Sequence, residues 1–169
     1  LGGSLNYIWK YSDTVFANSL NASKIFKTVK TYSVKLITKT SNGCSDSMIK
    51  SVQVYASPIT DFSISNAKQC LSNNVFKFSN NSFINVGNNS YSWSFGDGLG
   101  SGVNSPTKTY TTFGNYNVKL LSTSDNGCVD CMTKLVNVYS QPEVSFSKSD
   151  SAKCLNNNLF SFEAQSTNA

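Results

Sequence analysis

An internal repeat constrains the fold of this chain more than any other feature. The sequence aligns with itself, without a gap, at the spacing that separates Trp9 from Trp93, which is 84 positions. The matched residues are mostly aromatic, aliphatic or cysteine: Tyr7, Trp9, Tyr32, Val34, Leu36, Cys44, Tyr55, Pro58, Phe62, Cys70, Phe76 and Phe78 recur as Tyr91, Trp93, Tyr116, Val118, Leu120, Cys128, Tyr139, Pro142, Phe146, Cys154, Phe160 and Phe162. A period of this length indicates copies of one structural unit.

Each copy has the two-residue alternation that is typical of half-buried β-strands. Residues 91–95 place three aromatic side chains between serines, and residues 62–64, 76–78, 116–120 and 136–138 alternate in the same way. Turn signals occupy residues 96–98, 113–115 and 125–127, and no amphipathic helical pattern is present. We therefore predict an all-β fold of tandem immunoglobulin-like antiparallel β-sandwiches in a linear array.

Two prolines mark the boundaries between the copies. Pro58 and Pro142 each follow a strand pattern that closes one copy and precede the first strand of the next. We predict a partial repeat lacking its first strands at 1–56, a complete repeat at 57–140 and the first strands of a third repeat at 141–169. Because few residues remain for linkers, neighbouring units are expected to abut.

Composition excludes several classes of function. The 14 Lys and Arg residues are scattered, and the net charge of +5 includes no basic run of the kind that binds nucleic acid. No apolar stretch approaches the length of a membrane-spanning helix, so no membrane insertion is expected in this fragment. Charged residues amount to only 14%, and the abundance of Ser, Thr and Asn is common in extracellular β-proteins. We predict an extracellular, cell-surface location.

The sequence also lacks the residues of a catalytic site. It has no histidine, so neither a Ser-His nor a Cys-His dyad can form. Its nine acidic residues are dispersed, and no glycine-rich phosphate loop precedes a helix. We therefore expect no enzyme activity, no cofactor and no metal site.

Three motifs of the complete repeat carry a family resemblance. They are residues 93–98 (WSFGDG), 105–110 (SPTKTY) and 114–120 (GNYNVKL). Their order and spacing resemble the polycystic kidney disease (PKD) domain family, whose pattern is W-x-F-G-D-G, P-x-x-x-Y and G-x-Y-x-V-x-L. The resemblance implies a sandwich whose core includes Trp9, Trp93, Phe95, Tyr32 and Tyr116. In the first copy, residues 9–14 (WKYSDT) replace the glycine turn.

Asp97 lies inside the first of these motifs, between two glycines. A short polar side chain there can bond its own backbone within a tight turn. Calcium requires six to eight oxygen ligands, and no second carboxylate lies near Asp97 in the sequence. We therefore predict a turn-forming role for Asp97 rather than a calcium ligand.

Repeats of this kind, rich in Asn, Ser and Lys and carrying regularly placed cysteines, also resemble those of giant SprB-type surface adhesins of gliding Bacteroidetes. That resemblance implies a long cell-surface filament that functions in adhesion or gliding motility.

The chain has five cysteines, of which Cys44, Cys70, Cys128 and Cys154 belong to the repeat. Without histidine, zinc binding is poorly supported, and Cys128 and Cys131 lack the helix N-terminus that activates a redox Cys-x-x-Cys pair. Disulfides fit an extracellular chain better. A sandwich strand of about seven residues spans roughly 23 Å, whereas bridged Cα atoms lie within about 7 Å. Cys44 and Cys128 each follow an Asn-Gly turn. We therefore predict that Cys70 forms a disulfide with the corresponding cysteine of the next unit, across the joint between the two units.

Three Asp-Ser/Thr triplets resemble the O-glycosylation motif of Bacteroidetes. Their acceptor residues are Thr14, Ser47 and Ser151. We treat them as candidate glycan sites of a secreted protein.

Three functional hypotheses remain: a stalk, a binding module and assembly with other copies of the chain. The first is a structural or adhesive stalk in which the partners are neighbouring repeats of the same chain. The second is a polysaccharide- or protein-binding accessory module of a secreted enzyme, which requires exposed aromatics such as Tyr110, Phe113 or Tyr139. The third is assembly with other copies, in which residues 141–169 of one copy supply the strands that residues 1–56 lack.

Overall fold

The computed structural model describes residues 4–156 and 158–168. Regular structure among these residues consists entirely of β-strands, and none of them forms a helix that could cross a membrane. The chain divides into two compact units between Ser57 and Pro58. We call residues 4–57 the N-terminal unit. Within the second unit we distinguish the central unit, residues 58–140, from the C-terminal segment, residues 141–168.

The N-terminal unit is one four-stranded antiparallel sheet in the order β2-β1-β3-β4. Its strands are β1 (Leu5–Tyr11), β2 (Thr14–Ala17), β3 (Lys30–Thr40) and β4 (Ser45–Val54). Trp9 pairs with Leu36, and Leu36 pairs with Met48 on the next strand. Since side chains of paired residues share a sheet face, the apolar residues of alternate positions form one continuous surface.

The central unit contains two sheets. Its strands are β5 (Phe62–Ile64), β6 (Lys68–Cys70), β7 (Phe76–Asn80), β8 (Asn89–Ser94), β9 (Gly100–Ser101), β10 (Thr107–Lys108), β11 (Gly114–Ser124) and β12 (Val129–Tyr139). One sheet has the order β10-β7-β5, and the other has the order β6-β12-β11-β8-β9. This is the predicted all-β sandwich, with one departure, because β6 pairs with β12 in parallel. The predicted turn at residues 113–115 also proves shorter, since β11 already begins at Gly114.

The core of the central unit lies between the two sheets. The three-stranded sheet and its connections contribute Phe62, Phe76, Phe78 and Tyr110, and the other sheet contributes Trp93, Phe95, Val118, Leu120, Val136 and Val138. Phe62, Phe76, Val118, Leu120 and Val136 are fully buried. The alternation of apolar and polar residues places these side chains on the inner faces of the sheets.

The C-terminal segment consists of two short antiparallel ladders. Its strands are β13 (Pro142–Glu143), β14 (Phe146–Lys148), β15 (Phe162–Ala164) and β16 (Thr167–Asn168), with β13 paired to β16 and β14 paired to β15. Phe146 pairs with Ala164, as Phe62 pairs with Asn80 in the central unit. The segment therefore repeats the β5–β7 ladder in the same register.

Of the five predicted core residues, Tyr32, Trp93 and Phe95 are buried, whereas Trp9 and Tyr116 are only half-buried. The difference has a separate cause in each case. Trp9 lies in a unit whose described residues form a single sheet, so no second sheet of that unit covers its indole. Tyr116 packs at the margin of the core, where its hydroxyl reaches a loop.

Candidate functional site

The glycine turn between β8 and β9 is held by a partly buried ion pair. Lys108 Nζ lies 2.6 Å from Asp97 Oδ2, and both side chains are mostly buried. The other carboxylate oxygen, Oδ1, accepts a hydrogen bond from the N–H of Leu99 at 3.1 Å. The Lys108 ammonium also lies over the rings of Phe95 and Tyr110, at 5.5 and 5.4 Å from their centroids. The first two PKD-like motifs are thereby joined through Asp97 and Lys108.

The electrostatics of Asp97 suit this structural role. Burial acts to raise the pKa of its carboxyl group, but the hydrogen bonds from Lys108 and the Leu99 N–H, with the positive charge of Lys108, hold the pKa below its ordinary value. Both carboxylate oxygens are engaged within the protein. Among the described residues, no cluster of three or more His, Cys, Asp or Glu side chains is arranged to hold a metal ion.

Gly96 is required in this turn by its backbone and by its surroundings. Its φ angle is +80°, in the left-handed region that side chains disfavour. A Cβ atom at this position would lie 3.0 Å from the backbone N and O of Asn117, which is part of the third motif. Close packing of the turn against β11 therefore depends on glycine.

A second group of polar contacts surrounds Tyr110. Its hydroxyl donates to the backbone oxygen of Phe95 at 2.8 Å, and its N–H donates to Asn74 Oδ1 at 2.8 Å. The Nδ2 of Asn74 in turn donates to the backbone oxygens of Leu71 and Tyr110. Asn74 is buried and joins its own loop, which contains Leu71, to the loop that contains Tyr110. Sequence reasoning missed it, although its recurrence as Asn158 was a usable signal.

Both repeats contain a tyrosine whose hydroxyl bonds to the backbone four residues upstream. Tyr116 donates to the oxygen of Thr112 at 2.9 Å, and Tyr32 donates to the oxygen of Thr28 at 2.7 Å. Each tyrosine ring stacks on an aromatic ring from the same loop, Tyr110 at 3.9 Å in one repeat and Phe26 at 4.0 Å in the other. This arrangement corresponds to the tyrosine corner of immunoglobulin-like sandwiches.

The central unit has distinct entry and exit ends. The chain enters at Pro58, where the N–H of Thr60 donates to Asp130 Oδ2 at 2.8 Å. This hydrogen bond is the first cause of a lowered pKa for Asp130. The chain leaves at Tyr139, at the other end of β12. Because β12 has eleven residues, the two ends are separated by about 36 Å.

The repeat cysteines of the central unit lie at these opposite ends. Cys70 is opposite Tyr139 in the β6–β12 ladder, at the exit end. Cys128 directly precedes β12, at the entry end. Their separation excludes a Cys70–Cys128 disulfide within the unit, because bridged Cα atoms lie within about 7 Å. All five thiols are free in this structure, with Cys44, Cys70, Cys131 and Cys154 exposed and Cys128 half-buried.

The three aromatics that were expected to distinguish a binding module from a stalk have different environments. Tyr110 belongs to the core, whereas Phe113 and Tyr139 are 59% and 51% exposed. Phe113 directly precedes the Gly114–Val138 pair, so both exposed residues lie at the exit end, beside Cys70. The candidate glycan acceptors Thr14, Ser47 and Ser151 are all exposed.

The two sheets and the tyrosine corner define the central unit as an immunoglobulin-like β-sandwich module. Its sequence gives the family as well. The profile of the PKD domain family matches residues 55–139, which is half of the chain. The chain therefore belongs to the PKD domain family.

The chain is also similar to two solved PKD1 domains from Vibrio species. The PKD1 domain of Vibrio anguillarum Epp is 28% identical, with 50% of this chain and 96% of that one covered and a TM-score of 0.44. The PKD1 domain of the Vibrio cholerae metalloprotease PrtV is 31% identical, with coverages of 48% and 96% and a TM-score of 0.43. None of the curated proteins compared with this chain matches it.

Proposed function

We propose that this chain is part of a stalk of consecutive PKD modules in a secreted cell-surface protein, with a mechanical rather than a catalytic role. The observation that carries the proposal is the position of the two ends of the central unit. The chain enters at Pro58 and leaves at Tyr139, at opposite ends of β12, and Pro142 already begins the next ladder. A unit with this connectivity transmits tension along its long axis.

The distribution of polar contacts supports a load-bearing unit. Lys134 Nζ donates to Asp61 Oδ1 at 2.8 Å and to the backbone oxygen of Phe62, tying the first strand after the entry point to β12. Together with the Thr60–Asp130 hydrogen bond, these contacts join the two sheets at the entry end. Force applied at Pro58 would therefore act first on a cross-linked region.

The cysteines support a further element of the proposal, disulfides across the joints. In the central unit, Cys70 of strand β6 lies at the exit end and Cys128, which follows a turn, lies at the entry end. Repeats built like the central unit would place their corresponding cysteines in the same way. Consecutive units then bring one of each type to every joint. Such links would hold the units as a rod, consistent with surface filaments of the gliding-adhesin type and with an extracellular location.

Non-reducing peptide mapping of the native parent protein tests the stalk. We expect Cys70 linked to the post-turn cysteine of the following repeat. Free thiols throughout, or disulfides confined to single units, would contradict a stapled rod and leave independent modules.

The alternative is a polysaccharide-binding accessory module, which one observation favours. Phe113 and Tyr139 are exposed at the same end of the central unit, and exposed aromatic rings are a common surface for sugar binding. Affinity electrophoresis in gels containing acidic or neutral polysaccharides distinguishes the two functions. Retardation of the wild type that is lost in Phe113→Ala and Tyr139→Ala variants would favour the binding module. Unchanged mobility in every gel is expected for the stalk.

A further inference from the structure

One side of the N-terminal sheet combines lysines with aliphatic side chains. We call this surface the lysine face and define it by Ile8, Lys10, Lys35, Ile37, Lys39 and Ile49. In the β1–β3 ladder, Lys10 is opposite Lys35 and Ile8 is opposite Ile37. Lys35 is in turn opposite Ile49 of β4. Since paired residues share a side of the sheet, the register gathers lysines that are scattered in the sequence.

The lysine face corresponds to a surface that stays open in a complete module. Its counterparts in the central unit are Ser92, Ser94, Lys119, Leu121, Thr123 and Thr133. They alternate with core residues such as Trp93, and most of them are exposed although the central unit has both of its sheets. The first strands of the central unit pack on the opposite side, where the ring of Phe62 lies 5.0 Å from that of Trp93. Strands that complete the first repeat in the same way would therefore leave the lysine face uncovered.

The positive charges of the lysine face are not balanced within the unit. Lys10 and Lys35 are directly opposite each other, an arrangement that is unfavourable for two like charges on neighbouring strands. The ion pairs among the described residues include none of the three lysines. Asp46 lines a shallow groove with Lys35 and Lys39. Its single carboxylate, which also accepts the N–H of Ser47 at 2.7 Å, cannot balance three ammonium groups.

The aliphatic residues of the lysine face indicate the class of partner. Ile49 is 60% exposed, and Ile8 and Ile37 are half-buried. An anionic membrane surface suits this combination, because its headgroups attract ammonium groups while aliphatic side chains enter the interface. The lysine face contains no aromatic ring of the kind on which nucleic-acid bases stack. The central unit has mostly Ser and Thr at the same positions, so the combination is specific to the N-terminal unit.

We propose that the lysine face binds the anionic lipid headgroups of a membrane surface, with the sheet lying against the membrane and no strand crossing it. Each lysine near the headgroups contributes about a fivefold increase in binding. The attraction is weakened by salt, because the Debye length falls from about 30 Å at 0.01 M to about 3 Å at 1 M ionic strength. This contact does not depend on the stalk, and its failure would leave the peptide-mapping test of the stalk unaffected.

Co-sedimentation of the 169-residue chain with lipid vesicles tests the proposal. We expect binding to vesicles of phosphatidylcholine mixed with phosphatidylglycerol, a loss of that binding at high salt, and little binding to phosphatidylcholine alone. Lys10→Ser and Lys39→Thr introduce the residues of the central unit, Ser94 and Thr123, so folding should be retained. Each should weaken binding about fivefold.

Lys27→Thr is the matched control for the charge. Lys27 is exposed in the loop between β2 and β3, and its counterpart in the central unit is also a threonine. This substitution removes the same charge as Lys39→Thr but leaves the lysine face intact, so binding should remain close to that of the wild type. Equal effects of Lys27→Thr and Lys39→Thr would overturn the proposal, and so would equal binding to the two kinds of vesicle.

Ile49→Thr tests the aliphatic part of the lysine face. It should weaken binding about fourfold, the factor that corresponds to one buried CH₂ group. Leu135→Thr is its control, since Leu135 is 48% exposed on the outer side of the central unit. If Ile49→Thr binds like the wild type and soluble alginate displaces the chain from the vesicles, the face recognises an acidic polysaccharide and the membrane proposal is wrong.

Discussion

Asp97 and Lys108 form a 2.6 Å ion pair that joins two separate motifs of the PKD module. The Lys108 ammonium lies over the rings of Phe95 and Tyr110, and the Lys108 side chain is only 13% exposed. A charge in such surroundings has few water molecules to replace a lost partner. The motif aspartate is therefore a structural anchor of the glycine turn.

Asp97→Asn should destabilise the central unit by about 1.5–3 kcal/mol, because it removes charge-assisted hydrogen bonds and leaves Lys108 without a counter-charge. Chemical denaturation monitored by tryptophan fluorescence measures the change. Asp150→Asn is the control, since Asp150 pairs with Lys153 at 3.1 Å at an exposed position of the C-terminal segment. Equal effects of the two substitutions would show that burial of the Asp97 pair has no energetic importance.

The stability difference between the wild type and Asp97→Asn should depend on pH. Because the folded-state pKa of Asp97 lies below its ordinary value, the unfolded chain binds a proton at a higher pH than the folded chain. The contribution of the carboxylate is complete above its ordinary pKa of about 4 and is lost as the pH falls through the folded-state pKa. Thermal unfolding at a series of acidic pH values should show the two proteins converge. If the difference in stability stayed constant down to the lowest pH, the ionised Asp97 carboxylate would not be its source.

Gly96→Ala should destabilise the protein more than Gly98→Ala. Both residues have positive φ angles, +80° and +86°, so both substitutions incur a left-handed backbone cost of about 1–2 kcal/mol. Only at Gly96 would the new Cβ meet the backbone of Asn117, at 3.0 Å, whereas open space surrounds Gly98. The free energies of unfolding from denaturant titrations give the comparison. Equal free energies of unfolding for the two variants would show that the turn accommodates a Cβ atom at position 96 without additional loss of stability.

Tyr110→Phe removes a buried hydroxyl that donates to Phe95 and should cost about 1–3 kcal/mol, because the accepting oxygen is left without its partner. Tyr139→Phe, at an exposed ring, is the control. Burial, together with the negative charge of Asp97, raises the pKa of Tyr110. The hydroxyl therefore contributes fully below the ordinary tyrosine pKa of about 10, and its contribution is lost as the pH rises above that value. The stability difference between wild type and Tyr110→Phe should narrow in alkaline solution.

The two-residue alternation of apolar and polar residues correctly predicted strands and the core residues that they contribute. The alternation in residues 91–95 and 116–120 places Trp93 and Val118 in the core because strand geometry alone sets the period. The all-β, immunoglobulin-like prediction is confirmed for the central unit, and the PKD resemblance is confirmed by the family match. The linear array remains a prediction.

Contacts between residues that are distant in sequence could not be predicted from such local alternation. Gln69 pairs with Val138 in a parallel ladder, but strand β6 is short and polar, so no periodicity marked it. Lys108 was visible only as one lysine among many, although both members of the ion pair recur in the first copy as Asp13 and Lys24. The half-burial of Trp9 depends on which strands are present to cover it, and the pattern around Trp9 alone contains no such information.

The last prediction concerns the two repeat cysteines of the central unit. Cys70 lies opposite Tyr139, at one end of β12, and Cys128 directly precedes β12, at its other end. In the stalk that we propose, each joint would therefore bring together one cysteine of each kind from consecutive units.

Mild oxidation of the chain at low concentration should not link Cys70 to Cys128, because about 36 Å separates the two ends of β12 and bridged Cα atoms lie within about 7 Å. Non-reducing peptide mapping of the monomer checks this. Cys131→Ser is the control, since Cys131 has no counterpart in the repeat and its removal should not change the result. A Cys70–Cys128 link in the folded monomer would contradict the positions of the two cysteines and, with them, the proposed links across the joints.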